Sequence, residues 1–276
     1  MQPMASMALR AAHAAGDIIV RAFADLDKLK VETKERNDFV TSVDKVSEKT
    51  IIASLRKAYP NHGFYGEESG HHPGKNQGKE QGKDYLWIID PLDGTTNFIR
   101  GIPQFAISIA CQYRGRLEHA VIVDPIKNED YCASRGQGAT LNSKRIRVSN
   151  RKSLEGALIG TGIPFMHPSI NHLDKYLSMM SALLGDTAGI RRAGSAALDL
   201  AYVAAGRLDA FWEIGLKSYD MAAGALLIQE AGGLISDFNG GSDFLDKRQI
   251  VCGSPRCFKE VLKRIHPFVV EGMGLQ

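Results

Sequence analysis

The sequence predicts an α/β protein of the α+β type, with an N-terminal part at residues 1–150 and a C-terminal part at residues 151–276. Three observations support this class. The chain has 276 residues, of which 44% are hydrophobic, so it can bury a sizeable core. In the first part, apolar stretches between turn residues predict an antiparallel meander. In the second part, strand and helix patterns alternate, which predicts a sheet covered by helices.

The N-terminal part opens with two helical patterns and a short strand. Apolar residues recur at helical spacing over residues 4–23 and again over residues 42–59. Asp44 falls in the first turn of the second helix, where a carboxylate interacts favourably with the helix dipole. The strand is predicted to end at Gly66. The Gly- and Lys-rich segment at residues 70–84, with its two adjacent histidines, is predicted to be a solvated, mobile loop.

The central stretch begins with five largely apolar residues, 85–89, that predict a buried strand. Asp90 lies at its end, and Pro91 prevents the strand from continuing. Asp93 follows, and residues 94–97 offer backbone N–H groups and hydroxyls at a predicted helix start. Two carboxylates beside such donors suit a divalent metal and a phosphate, because Mg²⁺ binds carboxylate and phosphate oxygens together. The alternative is a simple turn in which Asp93 caps a helix.

The rest of the chain predicts further strands and helices. Strands are predicted at residues 105–111, 117–123, 131–134, 157–161, 189–193, 208–214 and 234–238. Helices are predicted at residues 171–184, 195–205, 220–231 and 254–266. Ser195 is predicted to cap the second of these helices and Asp220 to open the third.

The composition argues against several classes of protein. A formal net charge of +3 is too small to indicate nucleic-acid binding by itself. The four cysteines lack Cys-x-x-Cys spacing and a set of histidines that would complete a zinc site, so reduced structural thiols are predicted. No run of about eighteen apolar residues occurs, and the amphipathic N-terminus lacks an apolar signal core. A cytoplasmic protein without a membrane span is predicted.

Three segments carry a family pattern: Gly66-Glu67-Glu68-Ser69, the stretch from Trp87 to Phe98, and the segment from Tyr219 to Gly224. In this order they resemble the motifs of the inositol monophosphatase family of Mg²⁺-dependent, lithium-sensitive phosphatases, with Tyr219 where the family usually has Trp. The resemblance covers nearly the whole chain. It implies a layered α/β/α/β/α sandwich with the site between the two parts, and a homodimer.

The resemblance implies a set of metal ligands. Glu68 and Asp90, with the carbonyl of Leu92, would hold the Mg²⁺ that bears the nucleophilic water. Asp90, Asp93 and Asp220 would hold a second Mg²⁺ beside the leaving ester oxygen. Glu68 would share a third, weaker one, so that about two to three Mg²⁺ ions are expected per site. Four carboxylates gathered without cations would repel one another, which also favours metal.

The resemblance also implies catalytic and substrate contacts. Thr95, oriented by Asp44, would polarise the attacking water. Asp93 and the amides of Gly94 and Thr95 would contact the substrate phosphate. Of the two adjacent acids, Glu67 is interpreted as the one that does not bind metal.

Contacts to an inositol ring are expected at Glu213, Gly194 and Ser195, where the family binds the substrate. An ordinary strand-end carboxylate is the alternative for Glu213. A helix cap explains Ser195 fully.

The predicted function is Mg²⁺-dependent hydrolysis of myo-inositol monophosphate to inositol and phosphate. Enzyme alternatives act on 3′-phosphoadenosine 5′-phosphate or fructose 1,6-bisphosphate, but Glu213 and the lack of an evident second basic pocket favour a monophosphate. A different class is an interaction protein, a transcription antitermination or rRNA-maturation factor. The basic residues at 144–152 and Arg191-Arg192 are then either a solvated face or a contact for RNA or the transcription machinery.

Overall fold

The computed structural model describes residues 1–28, 31–35, 38–74, 84–163, 172–270 and 273. Its helices are α1 (Pro3–Phe23), α2 (Ser42–Ala58), α3 (Thr95–Ile99), α4 (Leu173–Leu184), α5 (Ala196–Ala204), α6 (Ser218–Glu230), α7 (Phe244–Lys247) and α8 (Pro255–Ile265), with 3₁₀ turns at Leu26–Lys28 and His266–Phe268. Its strands are β1 (Val31–Glu35), β2 (Asp38–Thr41), β3 (Gly63–Gly66), β4 (Gly70–His72), β5 (Tyr85–Asp93), β6 (Ala106–Tyr113), β7 (Arg116–Asp124), β8 (Glu129–Ser134), β9 (Gly138–Leu141), β10 (Lys144–Arg145), β11 (Leu158–Thr161), β12 (Gly189–Arg191), β13 (Ala210–Ile214), β14 (Leu234–Ser236) and β15 (Gln249–Gly253).

The larger sheet contains the predicted meander. Within the described residues its strand order is β10-β9-β8-β7-β6-β5-β3-β4, while β1 and β2 form a separate hairpin that the sequence did not predict. Strands β3 and β5 are parallel, and the other neighbours are antiparallel. Strand β4 corrects part of the loop prediction, because both histidines lie in it and the ring of His71 stacks on Tyr65.

The smaller sheet has the order β12-β11-β13-β15-β14. Strand β11 is parallel to β12 and to β13, whereas β15 runs antiparallel to β13 and β14. The sequence analysis missed β15. All five of its residues are buried, so the strand lacks the alternation of apolar and polar residues by which half-buried strands are recognised.

Helices cover both sheets and fill the space between them. Helices α1 and α2 pack on one face of the larger sheet, and α5 and α6 pack between the two sheets. Helices α4 and α8 cover the outer face of the smaller sheet. The predicted α/β/α/β/α sandwich is confirmed. Residues 221–228 of α6 are all buried, as expected for a helix between two sheets, so the position of its first turn is well fixed.

The end of β5 differs from the prediction. The strand continues through Pro91 to Asp93 instead of ending at Asp90. Its pairing with β6 is regular up to Asp90 and shifts between Asp90 and Asp93. A proline is tolerated at such an irregularity because the ladder hydrogen bond it cannot donate is already interrupted there. The irregularity is therefore the feature that brings two aspartates to the end of one strand.

Several sequence predictions fall on the edge of the described structure or beyond it. The Gly- and Lys-rich segment at 75–83 and the first residue of the helix predicted at 171–184 lie outside the described residues. The division of the chain at residue 150 stays a prediction.

All four cysteines are buried and free, as expected. Among the described residues, no helix combines the length and apolar character needed to cross a membrane.

Candidate active site

Three aspartates meet between the two sheets, at the end of β5 and the start of α6. Asp90, Asp93 and Asp220 each offer a carboxylate oxygen, and these oxygens lie within 4.8 Å of one another. Asp90 is buried and accepts the backbone N–H of Leu92 at 2.9 Å. Asp220 lies in the first turn of α6 and accepts the backbone N–H of Lys217 at 2.6 Å. The structure thus brings together three of the four predicted acidic ligands.

Asp93 is held by a helix that begins about a hundred residues later in the chain. Its carboxylate accepts the Ser195 hydroxyl at 2.5 Å and the Ala197 backbone N–H at 2.7 Å. These donors form the N-terminus of α5, where unpaired N–H groups and the helix dipole favour a carboxylate. The alternative interpretation of Asp93 as the cap of its own helix is wrong, because Gly94 is the N-cap of α3. Ser195 does cap α5, as predicted.

Burial and mutual repulsion make the charged forms of these aspartates unfavourable. Burial raises the pKa of Asp90 well above its usual value, and the charges of Glu67 and Asp93 raise it further. Burial also raises the pKa of Asp220, and the charge of Asp93 adds to this shift. Burial raises the pKa of Asp93 to about 6, against the lowering effect of its bonds to the start of α5. A cation between these carboxylates would reverse the repulsion.

The structure separates the two acids that follow β3. Glu67 is the first of the charges that raise the pKa of Asp90, and it also acts on Asp220. Glu68 donates its backbone N–H to the carboxylate of Glu48 at 2.8 Å. The charge of Glu67 therefore acts on Asp90 and Asp220, whereas the sequence analysis chose Glu68 as the metal-binding acid. Which of the two binds metal stays a prediction.

Thr95 is fixed by two acceptors. Its hydroxyl lies 3.1 Å from Asp44 Oδ1 and 3.0 Å from the Leu92 carbonyl oxygen. Asp44 is buried, and its other oxygen accepts the hydroxyl and the backbone N–H of Thr41 in a capping box at the start of α2. Burial raises the pKa of the Asp44 carboxyl, while the bonds from Thr41 and Thr95 lower it. Asp44 therefore combines the two interpretations considered from sequence: it lies in the first turn of α2, where it completes the capping box with Thr41, and it contacts Thr95.

The glycines at the site allow close packing of backbone. Gly94 has φ +98°, and a Cβ there would lie 2.9 Å from the Gln104 carbonyl oxygen. Gly194 also has a positive φ, and its carbonyl accepts the Asn97 side-chain amide at 3.3 Å. Asn97 thereby joins the motif after β5 to the segment before α5. The predicted substrate contacts at Gly94, Thr95 and Gly194 thus lie on adjoining segments.

Glu213 lies on β13 in the smaller sheet. Its carboxylate occupies the space that a Cβ on Gly162 would fill. Burial raises the pKa of Glu213 well above its usual value, and the charges of Asp199 and Asp220 add to the shift. Arg192 acts in the opposite direction. The sequence analysis did not single out Asp199, a buried acid of α5 whose pKa is raised by burial and by the charge of Asp93.

Residues 1–270 match the inositol monophosphatase family, so the chain belongs to this family of phosphatases. A relative from Pseudomonas aeruginosa named Nus factor SuhB is 61% identical over 267 residues, which is 97% of each chain. The extragenic suppressor protein suhB from Bartonella henselae has 41% identity and a TM-score of 0.89, over 94% of this chain and 97% of that one. An IMPase from Thermotoga maritima has 33% identity and a TM-score of 0.82, over 95% and 96%. The predicted family is confirmed, and the relatives named SuhB place the chain in its SuhB-like branch.

The raised pKa values predict how pH and metal act on stability. A carboxyl whose folded-state pKa lies above its unfolded value stabilises the fold below the unfolded value, and this contribution is lost as pH rises through the folded value. For Asp93 these values are 3.8 and about 6. We expect the metal-free protein to lose stability between about pH 4 and pH 7, and Mg²⁺ to stabilise it more at about pH 7.5 than at pH 5, because ligands bind deprotonated.

Thermal midpoints measured across this pH range, with and without Mg²⁺, check the expectation. The matched control is Asp93→Asn, in which the pH-dependent loss should be smaller because the substituted residue does not titrate. An equal pH dependence in the two proteins would show that Asp93 does not carry it.

Proposed function

We propose that this chain is a Mg²⁺-dependent phosphatase whose substrate is myo-inositol monophosphate. The observation that carries the proposal is the group formed by Asp90, Asp93 and Asp220, beside a hydroxyl of Thr95 that is held by Asp44. Buried carboxylates of like charge are costly to ionise, and oxygen ligands of this kind are those that Mg²⁺ prefers. The chain belongs to a family of phosphatases, in which such a metal-binding group would serve phosphate ester hydrolysis.

The proposed metal ligands are the three aspartates, the Leu92 carbonyl and Glu67, which replaces Glu68 because its charge acts on Asp90. Bound Mg²⁺ would lower the pKa of a coordinated water and offset charge on the leaving oxygen. Two to three ions per site stay the expected number.

The remaining work belongs to residues of the chain itself. The Thr95 hydroxyl donates to Asp44 or to the Leu92 carbonyl, which leaves its oxygen lone pairs free to accept a hydrogen bond from the attacking water and so orient it. Ser195 and α5 hold the Asp93 carboxylate in place. The amides of Gly94 and Thr95 stay the proposed phosphate contacts.

Glu213 supports a polyol substrate. Its carboxylate lies close enough to Asp220 and Asp93 for their charges to raise its pKa, so a substrate phosphate at the aspartates would bring its ring near Glu213. A carboxylate accepts hydrogen bonds from adjacent hydroxyls, as an inositol ring presents them. Gly194 and Ser195 are the other proposed ring contacts.

A substrate panel tests the proposal. The purified protein would be assayed with myo-inositol 1-phosphate, fructose 1,6-bisphosphate and 3′-phosphoadenosine 5′-phosphate, with Mg²⁺, without it, and with added lithium. We expect Mg²⁺-dependent, lithium-inhibited release of phosphate, with the highest kcat/KM for the inositol ester. Equal or higher kcat/KM for either nucleotide or bisphosphate substrate would contradict the substrate assignment.

A second candidate function is an interaction role in transcription antitermination, with the protein acting in the cytoplasm as a homodimer. Relatives are named Nus factor SuhB, which fits this role. The basic residues of the 144–152 segment, among them Lys144, Arg145 and Lys152, are exposed, as are Arg191 and Arg192. An exposed basic face of this kind can bind RNA or an acidic protein surface.

The two roles are expected to be separable. Arg147 bonds to the Glu230 carbonyl and Arg151 to Asp209, so a structurally mild test replaces Lys144, Arg145 and Lys152 with Ala. The triple variant should lose salt-sensitive binding to RNA or transcription proteins in a pull-down and keep inositol phosphate hydrolysis. Asp93→Asn should do the reverse. Retention of every partner by the triple variant at low salt would place the interaction surface elsewhere.

A further inference from the structure

Helix α2 directs two acids toward the site from one face. Asp44 and Glu48 are four residues apart, about one helical turn, so their side chains lie on the same side. Asp44 contacts Thr95. Glu48 is only 2% exposed, and its carboxylate contacts the turn that connects β3 to β4. Two acids four residues apart repel each other and weaken an isolated helix. A buried carboxylate also costs free energy unless it accepts hydrogen bonds, so each of these two residues needs donors elsewhere.

Glu48 finds its donors in the turn. One carboxylate oxygen accepts the Glu68 backbone N–H at 2.8 Å, and the other accepts the Ser69 hydroxyl. The Ser69 oxygen in turn lies 2.6 Å from Nε2 of His72. The carboxylate also rests on Gly66, where a Cβ would lie 2.4 Å from it. Glu48 therefore fixes both ends of the turn, by packing at one and by hydrogen bonds at the other.

Glu67 lies between these two points. Its own backbone N–H donates to the Ile89 carbonyl at 3.1 Å, one residue before Asp90. Gly66 pairs with Ile89 in the parallel ladder between β3 and β5. One side of the turn is thus joined to β5, the strand that carries Asp90, and the other side is joined to Glu48. The direction of the Glu67 side chain depends on both connections.

We propose that Glu48 is a positioning residue that holds Glu67 against the aspartate group, so that the acids reach the arrangement that binds Mg²⁺. The inference rests on the proposed function. A buried carboxylate costs free energy unless donors surround it, and here the donors belong to the turn that carries Glu67. Groups that orient metal ligands in this way change metal affinity by about 10- to 100-fold when they are removed.

Substitutions at Glu48 give opposite expectations for a positioning role and for a purely structural one. In Glu48→Ala the turn loses both bonds, and the Mg²⁺ concentration for half-maximal effect should rise about 10- to 100-fold. Glu48→Gln should restore affinity to within a few-fold of wild type, because its amide can accept from Glu68 and donate to the Ser69 oxygen. A purely structural residue would lower the metal-free thermal midpoint and leave Mg²⁺ affinity unchanged.

Binding of Mg²⁺ alone is measured in two ways, by the rise in thermal midpoint as Mg²⁺ is added and by calorimetry. Phosphatase activity is measured in parallel. The matched control is Ser47→Ala, which alters the adjacent buried residue of α2, whose hydroxyl has no hydrogen-bond partner in the described structure. This control should keep wild-type Mg²⁺ affinity and activity. At saturating Mg²⁺, KM for the phosphate ester should change little in Glu48→Ala, because the defect lies in metal binding.

Gly66→Ala approaches the same contact from the other side. The added methyl group meets the Glu48 carboxylate and should weaken Mg²⁺ binding in the wild-type background. With Ala at position 48 the obstruction is gone, so the double variant should bind Mg²⁺ about as well as Glu48→Ala alone. Such non-additivity is the mark of two residues that act through one contact.

Each outcome decides between the two proposals. If wild type shows neither Mg²⁺-dependent stabilisation nor phosphatase activity, the proposed function fails. If wild type binds Mg²⁺ and Glu48→Ala binds it equally well, the positioning role is overturned. Should Glu48→Ala not fold, two other variants replace it. One is Gly66→Ala, and the other is Ser69→Ala, which alters the exposed end of the contact. Unchanged Mg²⁺ affinity in both would overturn the proposal equally.

Discussion

Replacement of Asp93 with Asn is expected to lower kcat/KM for phosphate ester hydrolysis by at least about a thousandfold, because a lost metal ligand removes several kcal/mol of transition-state stabilisation. The substitution keeps the size of the side chain. Its amide oxygen can still accept the Ser195 hydroxyl and the Ala197 backbone N–H, so the connection to α5 is preserved. The measurement is steady-state kinetics at saturating Mg²⁺.

The same substitution should stabilise the metal-free protein. Burial raises the pKa of Asp93 to about 6, which means that the ionised carboxylate is unfavourable in the fold at neutral pH. A neutral amide removes that cost, and it also removes the repulsion between the carboxylates of residues 93 and 220. We expect the metal-free thermal midpoint at about pH 7.5 to rise by several degrees, and its shift with Mg²⁺ to shrink.

A matched control distinguishes this effect from a general loss of negative charge. Asp246→Asn changes an exposed acid of α7 and should alter neither activity nor the response to Mg²⁺. Turnover by Asp93→Asn within about tenfold of wild type would contradict the assignment of Asp93 as a ligand. A lower metal-free midpoint would show that its bonds to α5 outweigh the repulsion.

The sequence alone could predict the aspartates that meet at the site. Asp90 and Asp93 come from one short motif, and Asp220 lies in the first turn of a helix with a family pattern, so the sequence alone identifies these three residues. The choice between Glu67 and Glu68 could not be made in this way. In the proposed arrangement it depends on Glu48, which lies 20 positions before Glu68 and contacts the turn only in the folded chain.

Long-range contacts explain the other differences between sequence and structure. Asp93 has the sequence of a helix cap, yet its donors lie on α5, more than a hundred residues away. A proline such as Pro91 is typical of the end of a strand, but here the strand continues because the pairing of β5 with β6 is irregular at this point. The signal that could have indicated Glu48 was its spacing of one helical turn from Asp44. Propensity and periodicity report local preference, and these features are decided by packing between elements.

Removal of the Thr95 hydroxyl is expected to have the second large effect on activity. The hydroxyl lies 3.1 Å from Asp44 and 3.0 Å from the Leu92 carbonyl, and both acceptors constrain the direction in which its lone pairs point. Thr95→Val keeps the shape of the side chain and removes the hydroxyl. We expect kcat to fall about 10²- to 10⁴-fold, the range for loss of a group that assists proton transfer.

Magnesium affinity should separate this defect from that of Asp93→Asn. Thr95→Val keeps every proposed metal-binding carboxylate, so the Mg²⁺-induced rise in thermal midpoint should stay close to that of wild type. Thr96→Val is the matched control, because it makes the same chemical change at the adjacent, exposed position of α3 and should retain activity. Asp44→Asn should reproduce part of the loss of kcat, since its amide can donate where the carboxylate accepted. If Thr95→Val and Thr96→Val have equal kcat, the hydroxyl of Thr95 does not orient the attacking water, and the bond to Asp44 serves only to fasten α3 to α2.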